Sequence, residues 1–200
     1  LERSISTYEL SPSMEKRPEE TREKLSLRFF PEGGQLVEGI TSQVAFKAES
    51  KNEGNIQLSG TLYTKEGQEI TSFETLHDGM GAFEYTPSAL PAIAKVNFQG
   101  KQYEFTLPKA LPSGYILKVG NNAGAISVTV SCNAATPQDT LAVFISHQGR
   151  PHAYQLIHCQ ANKPQQFTVL SRKLPAGVLQ ISLLNRAGNT LCDRFIFASP

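Results

Sequence analysis

The sequence predicts an all-β chain folded as two tandem β-sandwich domains. Three observations carry that expectation. Short runs rich in β-branched and aromatic residues are separated by Gly, Asn and Pro turns. No segment sustains a helical period of apolar residues. The two halves also repeat one another at a fixed spacing.

Taken in order, residues 1–24 stand apart. Glu15, Lys16, Arg17, Glu19, Glu20, Arg22, Glu23 and Lys24 crowd one stretch that Pro12 and Pro18 interrupt. Such a segment has little to bury and reads as a charged linker or N-terminal arm. Pro18 suits the first turn of a short helix over 19–24. From Leu25 onward strands are expected near 26–30, 43–49, 55–64, 69–76, 82–86, 93–98 and 102–107. A second series is expected near 115–119, 125–132, 140–147, 152–158, 165–170, 178–184 and 191–197. Over 43–49, Val44, Phe46 and Ala48 alternate with Gln43, Lys47 and Glu49, the period of a half-buried strand. Over 125–132, Ile126, Val128, Val130 and Cys132 share one face in the same way. Seven short strands in about 85 residues match a sandwich of immunoglobulin-like size.

Phe83 stands seven residues before Leu90-Pro91-Ala92, and Phe167 stands seven before Leu174-Pro175-Ala176, an offset of 84 in both. A hairpin follows each tripeptide, one turning at Gln99-Gly100 and the other between Asn185 and Gly188. LYTKEGQEI at 62–70 parallels VFISHQGRP at 143–151, each around a glycine turn. Three matches in one order imply a duplication, with domains at 25–109 and 110–200 and a boundary near 108–114.

Composition narrows the function. Hydrophobic residues make up 40% and charged residues 18%, an ordinary globular balance. The formal charge of +1, on scattered Lys and Arg, gives no electrostatic case for nucleic acid or an anionic membrane. No run is long and apolar enough to span a bilayer. The start at Leu1 reads as a mature or excised fragment whose export signal would lie upstream. Cys132, Cys159 and Cys192 lack the spacing of a redox or zinc motif. They are expected as three buried thiols, with one disulfide plus one free thiol as the alternative.

The motifs that invite chemistry have simpler readings. Phe29-Phe30-Pro31-Glu32-Gly33-Gly34 lacks the helix, Lys and Ser/Thr of a phosphate loop, and reads as a strand ending in a glycine turn. His77-Asp78-Gly79 could suggest acid–base work, but no nucleophile elbow accompanies it, so it reads as a hairpin turn that His77 caps or packs. His147 and His152 are the only metal candidates. A turn at 148–151 would set their imidazoles opposite each other, which makes a weak two-ligand site for zinc or copper. Side-chain alternation keeps His158 and Cys159 on opposite faces. Glu66 and Glu69, and Glu49 and Glu53, flank turns, not a cleft. Phe46, Phe73, Phe83, Phe98, Phe144, Phe195 and Phe197 sit at strand positions and are expected in the core. With few exposed aromatics and no Trp, a carbohydrate-stacking platform is not favoured. No residue is assigned a catalytic or cofactor-binding role, and no cofactor is expected.

FFPEGGQLVEG at 29–39, SQVAFKA at 42–48 and HDGMGAF at 77–83 resemble the macroglobulin-like region of large cell-envelope proteins from Bacteroidetes. LPAGVLQISLLNRAGNTLCDRFIF at 174–197 resembles the strand pair by which such domains lead into the next macroglobulin-like repeat. The resemblance covers 27–107 well and 110–198 more loosely, and its motifs are structural. It implies immunoglobulin-like sandwich domains arranged as beads in an exported protein of the periplasm, outer membrane or cell surface. Some family members carry a TonB-receptor-type plug domain or a carboxypeptidase-regulatory-like domain elsewhere. The thioester tetrapeptide Cys-Gly-Glu-Gln of protease-trapping macroglobulins does not occur here. The expected function is a non-catalytic structural or binding module that presents a protein- or peptide-interaction surface. Its expected partners are other domains of the same chain or other envelope proteins. A glycan- or nutrient-binding module of an outer-membrane uptake system is the alternative, and a metal enzyme built on the hairpin histidines is a third reading.

Overall fold

A computed structural model describes residues 25–122 and 124–199. The charged arm at 1–24 and its expected helix lie outside the described residues. The described chain is all-β, with no α-helix, and forms two tandem immunoglobulin-like sandwiches. No helix among the described residues is long and apolar enough to cross a membrane.

The first sandwich contains β1 (Leu25–Pro31), β2 (Ser42–Ser50), β3 (Gly54–Asn55), β4 (Ser59–Tyr63), β5 (Glu69–Glu74), β6 (Met80–Tyr85), β7 (Ile93–Phe98) and β8 (Lys101–Thr106). One sheet has β2 at its centre, β1 on one side, and β6 and β3 sharing the other. The facing sheet runs β5-β4-β7-β8. The second sandwich contains β9 (Tyr115–Asn122), β10 (Ala125–Cys132), β11 (Asp139–His147), β12 (Arg150–Cys159), β13 (Gln165–Leu170), β14 (Gly177–Leu184) and β15 (Thr190–Ala198). Its sheets run β13-β10-β9 and β12-β11-β14-β15, the same order a second time. Register repeats as well. Val44 faces Phe83 between β2 and β6, and Val128 faces Phe167 between β10 and β13.

Alternation builds both cores. Val44, Phe46 and Ala48 point inward from β2, and Ile126, Val128, Val130 and Cys132 point inward from β10. Phe46, Phe73 and Phe83 pack edge-on and tilted in the first core, with Phe46 and Phe73 ring centroids 5.0 Å apart. The second core gathers Leu117, Leu141, Val143, Ile145, Leu179, Ile181 and Leu183. The two cores share no residue.

Three expectations are corrected. The strand expected over 55–64 is two strands, because residues 56–58 leave the first sheet and cross to the facing one. Ile56 and Leu58 are buried on the way, and Leu58 exchanges backbone and side-chain hydrogen bonds with Thr75 at 2.9 Å. The β11–β12 hairpin turns in two residues, Gln148 and Gly149, both at positive φ, so Arg150 and Pro151 already lie in the strand. Phe144, Phe195 and Phe197 are not core. Phe195 pairs with Gln180 and Phe197 with Val178 on the solvent side of β14, while Leu179, Ile181 and Leu183 fill the inside.

The segment 29–39 does more than end a strand. After β1, Gly33 and Gly34 take φ values of 79° and 88°, which glycine adopts without strain. The chain then runs against the second sandwich. Val37, Ile40 and Ile116 form a small separate apolar cluster, and Val37 bridges to Leu111. The Asn133 side-chain amide donates to the carbonyls of Glu38 at 3.0 Å and Pro112 at 2.8 Å. Buried Glu32 faces Arg194 at 3.7 Å.

Candidate interaction surface

The solvent side of the β12-β11-β14-β15 sheet carries many apolar side chains. Pairing sets its side chains in rows. Leu156, Ala142 and Leu184 form one row, and Tyr154, Phe144, Ser182 and Asp193 the next. Ser146, Gln180 and Phe195 follow, then Val178 and Phe197. Tyr154 is 69% exposed, Phe195 63% and Phe197 66%, with Leu156 and Val178 more than half exposed. The Phe144 and Tyr154 rings stack at 5.8 Å. Gln180 donates to Asp193 at 3.0 Å in the middle of the face. At the Leu156 end a shallow groove of about 520 Å³ is lined by Ala142, Phe144, Leu156, Leu184 and Arg186.

The corresponding face of the first sandwich is polar. There Thr61, Lys95 and Glu104 lie in register, Lys95 pairs with Glu104 at 3.1 Å, and its ammonium sits over the Tyr63 ring. The same strand order thus carries two surfaces of opposite character. On the second sandwich Phe144, Tyr154 and Leu156 form one apolar group and Val178, Phe195 and Phe197 another, with Gln180 and Asp193 between them.

One edge of this sheet is β12, which pairs in its sheet with β11 alone, and the other is β15. It runs ten residues, and the segment 153–157 carries no charge. The corresponding edge β5 is six residues long and has Glu69 and Glu74 at its ends. Charge, proline, bulges and shortness are the usual means of blocking an edge from further pairing; β12 has Arg150, Pro151 and a bulge at its start but no charge, proline or bulge over 153–157.

The histidines take different places. His152 falls in the bulge that follows Pro151, where its ring lies 6.2 Å from that of His147. No third His, Cys, Asp or Glu joins them in a metal-sized group among the described residues. The His158 ring nitrogen Nδ1 shares a hydrogen bond with Thr140 at 3.0 Å, while Cys159 points into the core. His77 does not pack its turn. It is largely exposed, 3.0 Å from the Asp78 carboxylate. Glu49 is held by Lys47 and Arg28, and its hydrogen bond to Lys47 is the main cause of a lowered pKa. Glu53 accepts from Gln99 at 2.6 Å. Each carboxylate of that pair therefore has its own structural partner.

All three cysteines are free and buried. Burial, with Asp193 nearby, pushes the Cys192 thiol up to about 12. Burial and the Cys132 thiol push Cys159 to about 12. In the unfolded chain such thiols ionise near 9.0. Native and unfolded chains are equally protonated below that value, and above it the unfolded chain loses its thiol protons first. Stability is therefore full below about pH 9 and falls as pH rises towards 12. Tyr85 and Tyr115, raised chiefly by burial, act in the same direction. Urea midpoints for the reduced chain at about pH 8 and about pH 10 check this. The midpoint should be lower at the higher pH, and an unchanged or higher one contradicts the assignment.

No known protein family matches the chain. No curated protein matches it either. Among solved structures it is similar to the BSP domain of a biofilm-associated protein, at 14% identity and a TM-score of 0.36, over 88% of this chain and 30% of that one. It is also similar to the adhesin InvE of Yersinia pseudotuberculosis, at 14% identity and a TM-score of 0.32, over 90% of this chain and 61% of that one. A Salmonella alpha-2-macroglobulin reacted with methylamine aligns at 8% identity and a TM-score of 0.31, over 88% of this chain and 17% of that one.

Proposed function

We propose that the chain is a non-catalytic structural and binding module of a larger exported envelope protein, macroglobulin-like in build. Its two domains run 25–109 and 110–200. Two cores without a common residue, joined through the 29–39 segment, support that division. The interaction surface is the apolar face and free edge of β12-β11-β14-β15, and the partners are proteins of the envelope or further domains of the same chain. The observation that carries this reading is the exposure of Tyr154, Leu156, Val178, Phe195 and Phe197 on one face of a domain whose twin is polar there. A partner segment in extended conformation could add to β12 while its alternate side chains rest on Tyr154 and Leu156.

Site-specific photocrosslinking tests it. A photoreactive phenylalanine analogue replaces Phe195, or in a second variant Asn97 on the polar face, in the full-length protein in its own envelope. A discrete adduct from position 195 and none from position 97 is expected. Equal adducts from both, or none from 195, overturn the reading.

A second reading rests on the polar face, where a hollow of about 650 Å³ is lined by Tyr63, Glu74, Lys95, Asn97 and Gln102. The Tyr63 and Phe73 rings among hydrogen-bonding side chains suit a glycan of an uptake system. Binding in a glycan screen that is lost on Tyr63→Ala would favour it over the protein-contact reading.

A further inference from the structure

We propose that Cys132 and Cys159 join in a disulfide when the chain folds in an oxidising compartment, tying the two sheets of the second sandwich together. This rests on core geometry and is independent of what the apolar face binds. Cys132 ends β10 and Cys159 ends β12, strands of facing sheets. Cys132 pairs with Tyr115 and Cys159 with Asp139, each the last or first rung of its ladder. Both side chains are buried in one core. The chain leaving β12 is pinned to Cys132, since the Asn162 amide donates to the Cys132 carbonyl at 3.1 Å. Cys192 belongs to the same core but lies on β15, at the opposite edge of the sheet from β12. The three thiols are thus one pair and one single.

The chemistry is thiol–disulfide exchange with a small-molecule disulfide such as oxidised glutathione. One cysteine thiolate attacks a glutathione sulfur, forming a mixed disulfide and releasing one glutathione thiolate. The second cysteine thiolate attacks the protein sulfur of that mixed disulfide, forming Cys132–Cys159 and releasing the second glutathione. Two protein thiols are oxidised to the disulfide, one glutathione disulfide is reduced to two thiolates, and these take up the two protons that the protein thiols released. Both cysteines are buried, so exchange runs during folding or on local opening and is slow on the folded chain. A hollow of about 320 Å³ beside Cys159 is lined also by Asp139 and His158. The bond closes a loop that carries β11 and β12, which limits the unfolded chain.

The full chain is refolded in a buffer of oxidised and reduced glutathione, free thiols are alkylated in denaturant, and the digest is mapped by mass spectrometry. Arg150 and Lys163 each precede proline, so trypsin leaves both cysteines on one peptide, and a protease cutting after Phe144 and Tyr154 is needed to separate them. The expected product links Cys132 to Cys159 and alkylates only Cys192. Its melting temperature exceeds that of the reduced chain by roughly 10 °C or more. Cys192→Ser keeps the link and the shift, and Cys132→Ser loses both. Should Cys132→Ser fail to fold, Cys159→Ala serves the same purpose, and the map of the unaltered chain still decides. Alkylation of all three cysteines, a link through Cys192, or stable glutathione adducts alone overturn the proposal.

Discussion

Replacing Phe46 with alanine lowers stability by about 3–5 kcal/mol, and the loss falls on the first sandwich. Phe46 is almost fully buried at the centre of β2, between β1 and β6. Its ring meets Phe73 edge-on across the sandwich and Phe83 at a tilt, so truncation removes both contacts and leaves a cavity that rigid sheets cannot close. None of its core neighbours belongs to the second core. Peptide-resolved hydrogen exchange in mild denaturant separates the halves. Amides over 42–50 and 80–98 should lose protection, while those over 125–132 and 177–184 keep theirs. Equal loss in both halves would mean one cooperative unit, and the proposed division at 109/110 would fall.

Gly81→Val has an effect of similar size by the opposite route. Gly81 pairs with Phe46 in the β2–β6 ladder, and its backbone is ordinary strand. A Cβ there would come within 2.3 Å of the Glu74 carbonyl oxygen and 2.6 Å of the Phe46 ring. Neither can yield, since one is backbone and the other a packed aromatic. Overpacking at such a site costs about 3 kcal/mol or more. Gly34→Ala is the control. It has φ of +88° but nothing within 4 Å of the added carbon, so only backbone strain of about 1–2 kcal/mol applies. Urea midpoints should rank the unaltered chain above Gly34→Ala and Gly34→Ala above Gly81→Val. The reverse order of the two variants contradicts the packing account.

The reading of sequence succeeded where one side of a strand is clearly more apolar than the other. Residues 43–49 and 125–132 have that pattern, and their faces and strands follow from alternation alone. It failed where both sides are apolar. In β14, Val178 and Leu184 compete with Leu179, Ile181 and Leu183, and in β15 Phe195 and Phe197 compete with Cys192 and Ile196. Register against the neighbouring strand decides which set is buried, and register is a property of the folded sheet. Composition favoured burial of the phenylalanines, so the exposed face went unseen. The signal that could have revealed it was the excess of apolar residues on the outer side of β12, β14 and β15 over the outer side of their first-half counterparts. The Cys132–Cys159 pairing was equally hidden, because the two residues meet across facing sheets and not through sequence spacing. The Gly-Gly turn after β1 was legible from residue type, but its seating against the second half depends on long-range partners such as Asn133.

The central claim is that the apolar face of the second sandwich is covered by a protein in its working state. Hydroxyl-radical footprinting tests it most directly, by comparing oxidation of Tyr154, Phe195 and Phe197 in the purified chain and in the intact envelope. The account predicts ready oxidation of all three in the purified chain and strong protection in the envelope, with Tyr63 on the polar face equally reactive in both. Equal oxidation of Phe195 and Phe197 in the two settings would contradict it.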